Sequence, residues 1–493
     1  MTVLSVIFLV IYLVALSYIT LFCLVQFHLL YHYKKFHKKR VNPPMELEED
    51  QWPVVTIQLP IFNEMYVVER LIKNICALDY PVDKLEVQVL DDSTDETIEI
   101  SQRIVNDFRE KGYDITLVRR PNREGFKAGA LKYGMQSAKG EFIAIFDADF
   151  LPDTSFLKKT IPHFYEDDKV GVVQTKWEHL NQDYSLITQL QAFQLNVHFT
   201  VEQTGRYSAD YLLQFNGTAG VWRRETIDDA GGWEADTLTE DLDLSMRAQL
   251  KGWKILFRED IGSPAELPAE MNGLKSQQFR WMKGGAETAR KMLPVLWRSS
   301  LPFKKKLHGT VHLLSSGIFL FIFLVGIISV PLVFLLQQSL FPADFFTLFL
   351  IGLLSIIGVY YVANVQASWK ENSWRKNMVK FLVLFPVFLS LSMGLSLHNS
   401  IAVIQGYLGK KSAFIRTPKF DIKSLTDNWR KGKYLSRRLP ATTIAEGLLS
   451  LYFIAGMIGG ILINDTTFLL FHGLLAAGFG TIFYYSIRHL SLK

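Results

Sequence analysis

Four short apolar runs in the first third of the chain each stop abruptly on polar residues. Residues 54–59, 87–90, 115–118 and 142–146 are apolar or nearly so, as expected of strands buried on both faces. Between them, apolar residues recur at helical spacing over about 67–77, 96–108 and 127–137. This alternation predicts a mostly parallel sheet with right-handed crossovers. The strand ends read "PIFNE" (60–64), "DDSTDE" (91–96), "RRPNREGFKAGA" (119–130) and "DADF" (147–150). Acids, amides and cations thus gather at one sheet edge, where open α/β folds bind ligands.

The pattern changes outside residues 50–300. Residues 3–32 form one apolar run, longer than the roughly 20 residues that cross a bilayer and without the basic start of a signal peptide. Further runs lie at 311–336, 345–367, 379–407, 443–463 and 466–486. The cluster "HYKKFHKKR" (32–40) follows the first run, so the positive-inside rule predicts an outside N-terminus and a cytosolic domain. If all five later runs crossed, the basic segment 409–438 would fall outside, against the same rule. The run 379–407 also carries Ser390, Ser392, Ser396, His398, Asn399 and Ser400. It is therefore expected to be interfacial or re-entrant, which leaves five spans and a C-terminus inside.

The expected layout is a span with a basic flank (1–40), a soluble domain (50–265), an amphipathic interfacial region (266–305), two spans (306–370), an interfacial helix with a basic loop (378–440) and two spans (441–493). No regulatory domain is expected after the last span.

Composition agrees with an integral membrane protein: 49% of the 493 residues are hydrophobic, 36 of them Phe. A net charge of +5, with cations beside a span, points to membrane lipids and away from nucleic acid. Two cysteines, Cys23 and Cys76, exclude a disulfide framework or a Cys-based metal site and fit a reducing compartment.

The strand ends suit a nucleotide sugar. Asp91 and Asp92 can accept hydrogen bonds from a base or ribose. Lys127, opening a helix, can meet a phosphate. Asp147 and Asp149 suit a divalent cation, Mg²⁺ or Mn²⁺, that bridges diphosphate oxygens. Gly217 and Gly220 allow close backbone approach or a turn. Thr239 reads as a helix N-cap, followed by Glu240, Asp241 and Asp243 in a first turn that the helix dipole favours. In "QQFRWMKGG" (277–285), Arg280 offers a planar fork for diphosphate and Trp281 a flat platform for a sugar. An amphipathic helix on the membrane explains the same two residues. Neither the P-loop nor the Rossmann glycine pattern occurs.

Taken together, Asp91-Asp92, Asp147-Ala148-Asp149, Thr239-Glu240-Asp241 and Gln277-Gln278-Phe279-Arg280-Trp281 resemble the D, DxD, TED and QxxRW signatures of membrane-embedded family-2 glycosyltransferases of the cellulose synthase group. The stretches "FNGTAGVWR" and "EDLDLSMRAQLKGW", with "ELP" ahead of QxxRW, are most similar to the plant cellulose synthase-like A and C proteins, which make mannan, glucomannan or the xyloglucan backbone. The resemblance covers 50–300, and the membrane part in layout alone.

The resemblance implies a GT-A-type α/β domain inserted in a helical membrane domain. It implies an inverting, metal-dependent hexosyltransferase that polymerises a β-glycan from UDP-glucose or GDP-mannose and passes it across the membrane. The alternative is transfer of one sugar to a membrane lipid, as ceramide glucosyltransferases do. By this resemblance Asn63, Glu64, Asp91 and Asp92 bind the donor together with Lys127, Asp147 and Arg280. Asp147 and Asp149 hold the metal. Asp241, with Glu240, is the catalytic base, and Gly217, Thr218 and Trp281 meet the acceptor. In cellulose synthase proper a Phe-Cys-Gly-Ser motif replaces "FNGTAG". The loop containing "FIRTPKF" (414–420) is similar in position to one that covers the active site of the synthase group. A plasma membrane, bacterial inner membrane rather than Golgi, is the expected location.

Overall fold

The computed structural model describes residues 3–36, 45, 47–335, 349–367, 373–412, 415–422, 427, 429, 432–434 and 439–490. Seven strands run through the soluble part: β1 (Val55–Ile61), β2 (Leu85–Asp91), β3 (Asp114–Val118), β4 (Phe142–Ile145), β5 (Val170–His179), β6 (Gly220–Arg223) and β7 (Lys254–Ala265). They form one sheet in the order β3-β2-β1-β4-β6-β5-β7. The β3, β2, β1 and β4 ladders are parallel, β6 is antiparallel to both its neighbours, and β5 pairs with β7 in parallel. The helices Val68–Cys76, Thr97–Glu110 and Phe126–Met135 supply the crossovers, within about two residues of the expected bounds.

Every residue of β2 and β4 is buried, because apolar layers cover both faces of the sheet. One layer gathers Ile57, Leu59, Val87, Phe142, Phe146 and Phe156. The other gathers Leu131, Ile143, Ile145, Phe215, Trp222 and Trp233. The chain winds away from β1 in both directions, to β2 on one side and β4 on the other. That reversal opens a crevice at the strand ends after Ile61 and Ile145.

Among the described residues, five helices are long and apolar enough to cross a membrane: Val3–Phe36, Phe303–Leu335, Trp374–Gly394, Ala441–Leu462 and Leu469–Arg488. The number matches the expectation, but the members differ. The run 345–367 yields a shorter apolar helix, Leu350–Gln366. The run 379–407, expected as one interfacial element, divides at Leu395 into Trp374–Gly394 and Ser396–Tyr407. Trp374–Gly394 meets the criteria of length and hydropathy, yet half of its most apolar window is buried inside the protein. Phe381, Leu384, Phe385 and Phe388 pack with Leu190 and Phe193 of the Leu186–Asn196 helix, which belongs to the sheet domain. Lys380 pairs with Asp183 at 3.1 Å beside them. Apolar residues in this helix therefore serve protein packing as much as lipid contact.

Candidate active site

The crevice holds a cavity of about 230 Å³. Its walls come from the ends of β1 and β4, the turn before β6, the N-terminus of the Glu240–Leu250 helix, the Met271–Arg298 helix and a strap at 415–419. Of the expected site residues, Glu64, Asp92, Lys127, Asp147, Asp149, Gly217, Glu240, Asp241, Arg280 and Trp281 all line it. These residues span more than 200 positions of sequence, and the fold brings them to one place.

Three expected residues stand behind the wall. Asn63, in a left-handed conformation with φ 55°, donates from its backbone to Ser93 Oγ (2.8 Å) and accepts the Thr94 amide on Oδ1 (2.8 Å). It braces one strand-end loop against the next. Asp91 is buried and accepts the Ser93 amide at 2.8 Å. The Thr218 hydroxyl accepts the Asp147 amide at 2.9 Å, so Thr218 shapes the Asp147 turn. Thr239 occupies the N-cap position but makes no side-chain cap. Its hydroxyl instead lies 3.1 Å from Thr288 Oγ1, joining this helix start to the Met271–Arg298 helix.

Four carboxylates of the wall, Glu64, Asp92, Asp147 and Asp149, are each paired with a cation. Asp92 receives the fork of Arg120, Nε to Oδ1 at 2.8 Å. The Lys127 ammonium pairs with Asp147 and donates to the Gly217 carbonyl at 2.8 Å. Burial works against that ammonium, but Asp147, Glu240 and Asp241 outweigh it, and its pKa lies above the ordinary lysine value. Asp149 is nearly inaccessible. Its Oδ2 accepts from Lys419 Nζ at 2.6 Å and from the Glu266 amide at 3.2 Å.

Asp241 is different. Its Oδ1 accepts the Leu242 amide at 2.9 Å, and burial, then the neighbouring Glu240, pushes its carboxyl up to about 7. A perturbed acid at a cavity wall has the profile of a general base. Gly217 lies against it with φ 79°, and a Cβ there would sit 3.1 Å from Asp241 Oδ2. A side chain at 217 would therefore be strained and would also crowd the base.

The strap carries residues that motif reading did not select. Arg280 donates to the Ile415 carbonyl and to Thr417 Oγ1, both at 2.9 Å. Burial pulls the Arg280 guanidinium down to about 10 against the pull of Asp147, Glu240 and Glu64, so it stays charged at neutral pH. Arg416 pairs with Glu64 at 2.7 Å. Lys419 also donates to the Glu266 carbonyl at 2.7 Å. Phe414, the first residue of "FIRTPKF", lies outside the described residues. The basic composition of the loop was the visible signal, but its partners were not.

A second acidic group, Glu234, Asp236 and Asp243, surrounds the Lys291 ammonium at 2.6, 2.9 and 2.9 Å. That lysine already supplies its cation and ties the Met271–Arg298 helix to the sheet domain.

Residues 53–284 match the model of the glycosyltransferase-like family 2. A glucomannan 4-beta-mannosyltransferase of Cyamopsis tetragonoloba is 36% identical over 381 residues, 76% of this chain and 70% of that protein. The chain belongs to the family-2 glycosyltransferases. Glucomannan 4-beta-mannosyltransferase 1 of Oryza sativa subsp. japonica is 45% identical over 268 residues, 53% of this chain and 51% of that enzyme. The chain thus spans about half the length of the rice relative it matches. A mannosyltransferase of Pyrobaculum calidifontis, solved in complex with GDP-Man and Mn²⁺, has a TM-score of 0.53 at 20% identity, covering 80% of this chain and 100% of that one. The expected GT-A-type fold and the resemblance to the cellulose synthase-like A group of this family are both borne out.

Proposed function

We propose that this family-2 glycosyltransferase is a membrane-bound inverting hexosyltransferase that extends a β-linked glycan from a nucleotide sugar, of the mannan, glucomannan or β-1,4-glucan type. The reading rests chiefly on one observation: a single cavity is lined both by a half-buried carboxyl raised to about 7, Asp241, and by a half-buried guanidinium, Arg280. A base that takes the acceptor proton and a cation facing the leaving diphosphate are what a single displacement requires. One displacement inverts the anomeric carbon. The names of the plant relatives favour a mannosyl or glucosyl donor.

Asp147 and Asp149 open to the same cavity, and here lysine ammoniums balance their charge. Paired carboxylates beside phosphate-binding cations fit Mg²⁺ or Mn²⁺, and these two residues would hold it. When bound, such an ion supplies charge that steadies the diphosphate oxygens. Lys127 and Arg280 hold and orient the donor, Asp241 takes the acceptor's hydroxyl proton, and Trp281 stacks on the acceptor sugar. In nanodiscs supplied with radiolabelled GDP-mannose and UDP-glucose in parallel, a product ladder from one donor is expected. A single-sugar lipid as the sole product would replace polymerisation with lipid glycosylation.

Trp281→Ala is expected to shorten the product. Stacking on an aromatic face is worth about 0.5–1.5 kcal/mol beyond burial, so retention of the chain end falls about two- to twelvefold while donor hydrolysis persists. Gel filtration of the polymer beside a nucleotide-release assay reads both quantities.

We further propose a cytosolic sheet domain with the N-terminus outside. Lys34 and Lys35 end the first long helix, and the strap shares the catalytic cavity, which puts the start of the basic segment on the domain's side. Cysteines at 410 and 411 are expected to resist a membrane-impermeant maleimide on intact cells. Ready labelling from outside would reverse this topology.

A further inference from the structure

Between the helices Leu186–Asn196 and Gln203–Ser208, residues Val197–Glu202 form a π-helical turn, a geometry found disproportionately at functional positions. His198 lies in it with Nδ1 2.9 Å from Glu202 Oε2 and Nε2 2.9 Å from Asn216 Oδ1. Asn216 is 9% exposed and lines the catalytic cavity. Its backbone amide is fixed by Gln174 Oε1 at 2.8 Å. Its Oδ1 also accepts from Gln214 Nε2 at 2.8 Å, and Gln214 Oε1 is met by His312 Nε2 at 2.9 Å. One end of the Asn216 amide is thus saturated. The other, Nδ2, has no hydrogen-bond partner among the described residues.

A buried amide with its oxygen fully engaged and its NH₂ unpaired beside a cavity is poised to donate to a ligand. The next residue is Gly217, against which Asp241 rests, and Asn216 and Asp241 line the same cavity. We infer that Asn216 binds a hydroxyl of the acceptor sugar through Nδ2, and that His198 and Glu202 are positioning residues that hold its amide in that orientation. The inference rests on the glycosyltransferase reading above and deepens it.

The chemistry of the pair explains the orientation. Burial opposes ionisation of Glu202, but Arg206, His198 and His312 together hold its carboxyl down at about 2, so it only accepts. His198 Nδ1 must then carry a proton. Nε2, 2.9 Å from Asn216 Oδ1, and Gln214 Nε2 together hold that oxygen and leave Nδ2 as the unpaired end of the amide. Arg206, 3.5 Å from Glu202 Oε2, steadies the anion from the next helix. Tyr360, on the Leu350–Tyr361 helix, also lies within the field of Glu202.

The test uses full-length protein in nanodiscs with β-1,4-mannotetraose and cellotetraose as acceptor probes, and calorimetry of the nucleotide sugar on the same samples. Asn216→Ala is expected to raise the acceptor KM about tenfold, the loss of one neutral hydrogen bond, with donor affinity within about twofold. His198→Ala is expected to act in the same direction, and His198→Gln, whose amide can still donate to Oδ1, to recover most of the loss. The double variant Asn216→Ala/His198→Ala is expected to be no worse than Asn216→Ala alone, because His198 acts through Asn216. The isosteric Asn216→Asp, which loses the donor and keeps the shape, separates binding from folding and is expected to match Asn216→Ala. An unchanged acceptor KM in Asn216→Ala and Asn216→Asp, or additive losses in the double variant, overturns the inference. A wild type that neither binds nor transfers a nucleotide sugar overturns the glycosyltransferase reading instead, so the two failures are distinct.

Discussion

Asp241→Asn is expected to lower sugar transfer by about 10²–10⁴-fold, the usual contribution of a positioned base, while donor affinity measured by calorimetry stays nearly intact. The asparagine keeps the size of the side chain and can still meet the Leu242 amide that Asp241 accepts at 2.9 Å, but it cannot take a proton. The wild-type pH profile carries the same signature. The carboxyl is pushed up to about 7 by burial and Glu240, and the active form is the ionised one. Transfer is therefore expected to fall about tenfold per pH unit below that value and to level off above it. A collapse of donor affinity together with activity would make Asp241 part of the donor or metal site.

Chelation is expected to have a comparable effect. With EDTA, and separately in Asp149→Asn, turnover is expected to drop by at least about a thousandfold, because a bound cation contributes several kcal/mol of charge stabilisation and about 4 kcal/mol corresponds to that factor. Restoration by Mn²⁺ or Mg²⁺ in the chelated wild type, and not in Asp149→Asn, would tie the ion to this residue. The variant also loses half of the Lys419 pair at 2.6 Å, so a circular dichroism melt is needed beside the assay. Full activity in EDTA would remove the metal from the mechanism.

The acid pair was legible because its signal is local. An apolar run ending in Asp147-Ala148-Asp149 describes both a buried strand and the turn at its end. The same holds for Asp241 and Arg280, each marked by a short motif on a helix. Lys419 and Arg416 were not legible as site residues. Their partners Asp149 and Glu64 lie hundreds of positions upstream, and no periodicity records which cation of a basic loop meets which acid. Asn63, Asp91 and Thr218 had the right chemistry at the right strand ends, yet they turn to Ser93, Thr94 and Asp147. A strand end decides which element a residue belongs to, whereas the packing of the next loop decides where its side chain goes.

The membrane part divides along the same line. Hydropathy alone located the long apolar stretches, since about 20 apolar residues are needed wherever a helix crosses, but not which of them form helices of that length. It did not distinguish apolar residues facing lipid from those facing protein, and Phe381, Phe385 and Phe388 pack with Phe193 of the sheet domain. The sequence by itself determined the strand and helix periods, the polar strand ends and the family motifs, because backbone geometry ties these to neighbouring residues. The tertiary structure alone decided the pairing of Lys419 with Asp149, the retreat of Thr239 to Thr288, and the unpaired Asn216 amide held by His198. Each is a contact between distant segments, and only close packing of the whole chain selects it.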